Sequence, residues 1–130
     1  MKKEEIFIIA EVGSVHDGSL GNAMNLIKVA KECGANAVKF QTHIADEETL
    51  KDALNPSYFK DENRYDYFQR TSFSKDQLKK LKNYARKIGI KLFSSPFSIK
   101  AFKLLNDLGV EFIKIPSGEV NNLPLLEKIS

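Results

Sequence analysis

The chain has 130 residues, 42% hydrophobic and 28% charged, the composition of about one ordinary globular domain and not of a disordered chain. Its net charge of +3 comes from 20 basic and 17 acidic residues, and in stretches such as "DQLKKLKNYARK" the lysines stand at helical spacing among apolar residues, a solvated helix face that speaks against a nucleic-acid partner. A single cysteine, Cys33, excludes an internal disulfide and a Cys/His metal cluster, so a reducing cytoplasm is the expected setting.

The opening "MKKEEIFIIAEVG" carries only about six apolar residues in a row, too few for a signal peptide or a membrane span, and reads as a first strand. After the loop "SVHDGS", the stretch "LGNAMNLIKVAKEC" places Leu20, Ala23, Met24, Ile27 and Ala30 three and four apart. That spacing predicts an amphipathic helix with Cys33 packed in the core at its end. Gly34 stops the helix and "AVKFQ" is a second strand. The stretch 42–72 carries Pro56 and aromatics that include Tyr58, Phe59, Tyr65, Tyr67 and Phe68. It is long for a loop and is predicted to hold short helices, with "RYDYFQR" the candidate. "SKDQ" is a capping box, Ser74 to Gln77, that opens the helix "KDQLKKLKNYARKI" closed by Gly89. "IKLFSS" is a third strand, "PFSIKAFKLLNDL" a helix with Pro96 near its start, "VEFIKIPSG" a fourth strand after Gly109, and "NNLPLLEKIS" the opening of a further helix.

Helix, glycine and strand thus recur in "ECGANAVKFQ", "KIGIKLFSSP" and "DLGVEFIKIP". Aligned on Gly34, Gly89 and Gly109, the three segments put Lys39, Ser94 and Lys114 at one place, five residues after the glycine. Such units require parallel strands joined by right-handed crossovers, so all strand carboxyl ends lie on one side. Glu11, Lys39, Gln41, Ser94, Ser95, Lys114, Ser117 and Glu119 all fall at or just past those ends, where parallel α/β folds carry their sites. Lys39 and Gln41, two apart on one strand, share a face. An internal lysine there calls for an anion. The competing reading is a structural ion pair of either lysine with Glu11 or Glu119.

Phosphate motifs of the nucleotide-binding kind are absent: "GSVHDG" lacks the Gly-Lys-Ser/Thr of a P-loop, and no GxGxxG follows a strand. His16 and His43 stand alone in sequence and are expected to be packed or solvated.

At these residues the chain resembles the N-acetylneuraminate (sialic acid) synthase family, with its legionaminic and pseudaminic acid synthases and spore-coat polysaccharide proteins. "IIAEVGSVHDGSL", "GANAVKFQTH", "LFSSPFS" and "IKIPSGEVNNLPLLE" come in the family's order over essentially the whole chain. The resemblance implies an α/β fold, the N-terminal half of a (β/α)8 TIM barrel with about four parallel βα units, the remainder of the barrel and a C-terminal antifreeze-like domain lying outside residues 1–130. It implies condensation of phosphoenolpyruvate with an N-acetylated amino sugar such as N-acetylmannosamine, releasing phosphate. Carried over by motif, Lys39, Ser95, Lys114 and Ser117 bind phosphoenolpyruvate, Gln41 lies beside them, and Glu11 and Glu119 face the sugar; Glu11, Lys39, Gln41 and Glu119 form the catalytic set.

The family uses a divalent metal, Mn2+ or Mg2+, whose ligands come from later strands, so none is assigned to these residues. The 130 residues alone are expected to be inactive, and the full-length protein is expected to be a homo-oligomer with no membrane association. Val15 stands where the family commonly has Asn, Ser95 where it has Thr, and Pro116 where it has Gly; Val15 is the departure expected to alter the sugar loop. Two other readings are a non-catalytic half-barrel that binds anions or pairs with another half, and a related barrel enzyme acting on a different aldehyde sugar.

Overall fold

The computed structural model describes residues 6–57 and 61–130. Its elements run β1 (Ile9–Gly13), α1 (Leu20–Glu32), β2 (Ala37–Thr42), α2 (Ala45–Glu48), α3 (Arg64–Thr71), α4 (Lys75–Ile88), β3 (Lys91–Pro96), α5 (Ile99–Asp107) and α6 (Leu123–Ile129), with a 3-10 turn at Ser117–Glu119 before α6. The strands form a parallel sheet in the order β1-β2-β3. Parallel neighbours cannot be joined by a tight turn, so α1 and α4 serve as the crossovers and cover one face of the sheet.

The alternation of β2 builds the core from that face. Val38 and Phe40 point into a cluster with Ala23, Ile27 and Ala30 of α1 and Leu81 and Ala85 of α4, and Leu20 and Met24 pack at its margin. Ile27 and Leu81 have no exposed surface, and burying a side chain of that size contributes about 1.5–3 kcal/mol. Cys33 is not in this core but exposed. The helix stops at Glu32, Cys33 is its C-cap, and Ala35 takes the next buried position.

Local signals act as their chemistry dictates. Ser74 and Gln77 form the reciprocal capping box that starts α4, and Gly89 ends that helix in a left-handed conformation. The "RYDYFQR" segment is α3, started by the Asn63 side chain, which accepts from the Tyr65 N–H. Tyr58 and Phe59 lie outside the described residues. Pro96 does not open a helix: it is buried at the end of β3, and α5 is capped by Ser98, whose hydroxyl accepts from the Ala101 N–H.

The fourth predicted strand is reduced to one parallel bridge, Ser94 to Ile113, with the Lys114 N–H donating to the Ser94 carbonyl at 3.3 Å. Among the described residues this segment pairs along one side only, and Pro116, having no N–H, cannot extend the ladder.

The sheet register corrects the glycine alignment. Ala37 pairs with Lys91 and Phe40 with Ser94, and Ser94 bridges Ile113. Each strand is therefore displaced by one residue relative to its neighbour, counted from the preceding glycine. A shear of eight residues around eight strands amounts to about one residue per strand, which is the stagger that closes a (β/α)8 barrel. Lys39 consequently pairs with Phe93, and Gln41 with Ser95. Ser94 faces the helices instead, where its hydroxyl lies 2.7 Å from that of Thr42.

Candidate active site

Four side chains from three strands meet on the face of the sheet opposite the core. β1 pairs Glu11 with Lys39, then slips register between Glu11 and Gly13, a bulge that turns the strand end out of the ladder. The slip brings Gly13 under the side chains on this face: a Cβ there would stand 3.4 Å from Glu11 Oε1 and 3.8 Å from Gln41 Oε1. Lys39 is 8% exposed, and its Nζ lies 2.5 Å from Glu11 Oε2 and 3.5 Å from Ser95 Oγ. The two ends of the ion pair differ in environment, since the Lys39 side chain is 10% exposed and that of Glu11 is 53% exposed. Water already solvates the carboxylate, so an incoming anion can take its place on the ammonium at modest cost, whereas the ammonium has little other access to solvent. The geometry shows the structural pair, and the exposed carboxylate is the partner that an anion would have to displace.

Gln41 is half-buried one layer further along. Its Oε1 accepts from the Ser14 hydroxyl at 3.3 Å and lies 3.5 Å from His43 Nε2. Both histidines are packed. His43 is held between the rings of Phe68 and Phe97, with centroids at 4.0 Å and 4.1 Å, and its Nδ1 is 2.6 Å from Glu48 Oε1. His16 stacks on Phe73 at 4.3 Å and accepts the Gly18 N–H at Nδ1 over 3.1 Å. Burial pushes the His16 pKa below its ordinary value, with the neighbouring Asp17 carboxylate opposing the shift.

Beyond this cluster the predicted set disperses. Lys114 and Ser117 are exposed. Glu119 is half-buried and accepts from Asn122 Nδ2 at 2.7 Å. The described contacts thus bring Glu11, Lys39 and Ser95 together, with Gln41 alongside, and leave Lys114, Ser117 and Glu119 outside that group. Val15 is 73% exposed on the loop after β1.

Two features escape the sequence reading. One is the His43–Glu48 pair, although the period of two through Lys39, Gln41 and His43 was available as a signal. The other is Arg70, which donates from Nε and Nη2 to Glu62 at 2.9 and 2.8 Å and from Nη1 to Asp17 at 2.6 Å. Those two carboxylates raise its already high pKa further, and the contacts tie α3 to the loop after β1. No spacing rule announces an ion pair 53 residues apart in sequence.

A cavity of about 330 Å³ lies at the other end of the strands, lined by Lys82, Arg86, Ile90, Lys91, Leu92 and Glu111 among others. It shares no residue with the cluster around Lys39. Among the described residues no group of three His, Cys, Asp or Glu is placed to hold a metal ion. These described residues do not fit a metal centre. No helix among the described residues is long and apolar enough to cross a membrane.

Known proteins resemble this chain in sequence and in fold. The chain is 39% identical over 130 residues to the N-acetylneuraminate-9-phosphate synthase of Mus musculus, covering 97% of this chain and 36% of that protein. It is 38% identical over 135 residues to the N,N'-diacetyllegionaminic acid synthase of Campylobacter jejuni, covering 100% of this chain and 40% of that protein. The fold matches the crystal structure of an N-acetylneuraminic acid (sialic acid) synthetase from Leptospira borgpetersenii in complex with citrate, with a TM-score of 0.81, 31% identity, and coverage of 97% of this chain and 41% of that one. The chain therefore spans well under half the length of these relatives, and its fold is part of their (β/α)8 barrel. With the NeuB family model matching residues 26–130, the chain belongs to the NeuB family.

Proposed function

We propose that the natural polypeptide carrying these residues joins phosphoenolpyruvate to an N-acetylated amino sugar, N-acetylmannosamine or a close analogue, to form a sialic-acid-type nonulosonate with release of phosphate. The observation that carries the reading is Lys39: a buried ammonium at a strand carboxyl end, with a serine hydroxyl beside it and a partner carboxylate half in water. Family membership supports nonulosonate synthesis in general. The use of phosphoenolpyruvate and the identity of the sugar are the proposal's own content.

In this reading, C3 of phosphoenolpyruvate attacks the sugar aldehyde, water adds at C2, and phosphate leaves. Lys39 and Lys114 meet the negative charge of the phosphate and carboxylate, a preorganised electrostatic effect commonly worth about 3–4 kcal/mol per strong donor. Ser95 and Ser117 orient the same anion by donating hydroxyl hydrogens, and Gln41 lies beside them. Glu11, released from Lys39 when the anion arrives, and Glu119 accept hydrogen bonds from sugar hydroxyls, and one of them assists proton transfer. The proposal includes a divalent metal, Mn2+ or Mg2+, held by residues outside this set, and a homo-oligomer of a longer chain with a second, antifreeze-like domain.

The test is an assay of phosphate release by the natural polypeptide with phosphoenolpyruvate, manganese and a panel of N-acetylated amino sugars and simple sugar aldehydes. Release that depends on an N-acetylated sugar, with a nine-carbon product by mass, is expected. Release with non-acetylated aldehydes only would replace the sugar half of the reading, and no release with any acceptor would overturn it.

A further inference from the structure

We propose that His43 is a positioning residue that fixes the side-chain amide of Gln41 with its NH2 group facing the substrate anion, and that Glu48 and the Phe68–Phe97 sandwich hold the imidazole in place for that task. The inference rests on the functional reading above and adds two residues to it.

Hydrogen-bond accounting carries the argument. Gln41 is placed with Oε1 toward the loop, where it accepts from the Ser14 hydroxyl at 3.3 Å. The same oxygen faces His43 Nε2 at 3.5 Å, so Nε2 must carry a hydrogen for the contact to attract. On the other side of the ring, Nδ1 and Glu48 Oε1 are 2.6 Å apart and share a second hydrogen between them. Both side chains are 7% exposed, so the contact is made out of reach of bulk water. Rotation of the ring would break both contacts, and aromatic rings at 4.0 Å and 4.1 Å on its two faces oppose any tilt.

Among the described residues, no hydrogen bond engages the nitrogen end of the Gln41 amide. Its oxygen faces Ser14 and His43, and the nitrogen is on the other arm of the planar amide, on a residue whose partner in the sheet register is Ser95. An amide presenting hydrogens donates to a phosphate or carboxylate oxygen; presenting its oxygen, it repels one. A hydrogen bond to a charged acceptor is stronger than one between neutral groups, so losing the preferred orientation should weaken binding of the anion at least about tenfold.

The experiment is a double-mutant cycle in the natural polypeptide. His43→Phe keeps an aromatic ring in the sandwich and removes both nitrogens; it is made together with Glu48→Gln so that no buried carboxylate loses its partner. The expected result is a KM for phosphoenolpyruvate raised about tenfold with kcat nearly preserved. Gln41→Ala gives a similar rise by itself, and adding the His43 change to it gives no further rise, because the two act through one amide. Independent, multiplying effects would overturn the proposal, as would an unchanged KM in the His43 variant.

If the double variant does not fold, nitrogen NMR of the imidazole in the unmodified protein decides the matter. A hydrogen on Nε2 supports the proposal and a bare Nε2 overturns it. That measurement needs no turnover, so it stands even where the unmodified protein releases no phosphate and the functional reading itself has failed.

Discussion

Replacing Lys39 by methionine separates what the lysine does for the fold from what it does for a ligand. Lys39 is 8% exposed, and methionine matches the length of its aliphatic stem and packs its thioether in the same space. The ion pair with Glu11 is lost, but the carboxylate left behind has a side chain 53% exposed and can hydrate. The penalty is therefore far below the roughly 3–5 kcal/mol of breaking a fully buried pair, and the removal of a desolvated ammonium offsets part of it. The net change in unfolding free energy should be about 1 kcal/mol or less in either direction. Affinity for phosphoenolpyruvate, in contrast, loses a charge-assisted hydrogen bond worth about 1.5–3 kcal/mol, at least tenfold in Kd. Denaturant unfolding and titration calorimetry on the same preparation measure the two quantities. An unchanged Kd together with a loss of stability above about 3 kcal/mol would refute the reasoning and return Lys39 to a structural role.

Glu119→Gln should raise the KM for the amino sugar or lower kcat while leaving phosphoenolpyruvate binding unchanged; equal losses for both substrates would instead indicate collapse of the turn that Glu119 shares with Asn122. His16 has a folded-state pKa below the ordinary 6.5, so the unfolded chain takes up a proton first as pH falls. Its contribution to stability is complete above about pH 6.5 and is lost as pH falls from there through the lowered folded value. The denaturation midpoint should drop as pH falls below about 6.5, and His16→Gln should flatten that part of the profile; an unaltered slope in the variant would dissociate the effect from His16. Gly18→Ala puts a Cβ 2.5 Å from the Arg70 carbonyl oxygen at φ +77° and should cost about 2 kcal/mol or more. Gly34→Ala at φ +86°, with open space around it, should show only the left-handed backbone penalty of about 1–2 kcal/mol, and equal costs at the two sites would mean that the loop after β1 moves freely off α3.

The parts of this fold that were legible in the sequence are those written in local chemistry. Ser74 and Gln77 specify the start of α4 without reference to anything distant, and the three- and four-residue spacing of Ala23, Ile27 and Ala30 specifies the buried face of α1. The carboxyl-end cluster followed from strand parity, which places Lys39 and Gln41 on one face. Register was not legible, because a glycine marks where a helix stops and not how many residues the chain uses to reach the sheet. Ala37 comes three residues after Gly34 and Lys91 two after Gly89, and that single residue exchanges Ser94 for Ser95 as the neighbour of Lys39. Nor does local chemistry show that the segment around Ile113 makes a single bridge, to Ser94, among the described residues. The Arg70 contacts with Asp17 and Glu62, and the His43–Glu48 pair, depend on how the stretch 42–72 folds back over the strand ends, and its sequence carries no period that states this.

The most direct test of the central claim is a crystal structure of the natural polypeptide with phosphoenolpyruvate bound. The account predicts a phosphate or carboxylate oxygen within about 3 Å of Lys39 Nζ, hydrogen-bonded also to Ser95 Oγ, with the Glu11 carboxylate displaced from its 2.5 Å contact. Phosphoenolpyruvate bound elsewhere, with the Lys39–Glu11 pair intact beneath it, would contradict the claim.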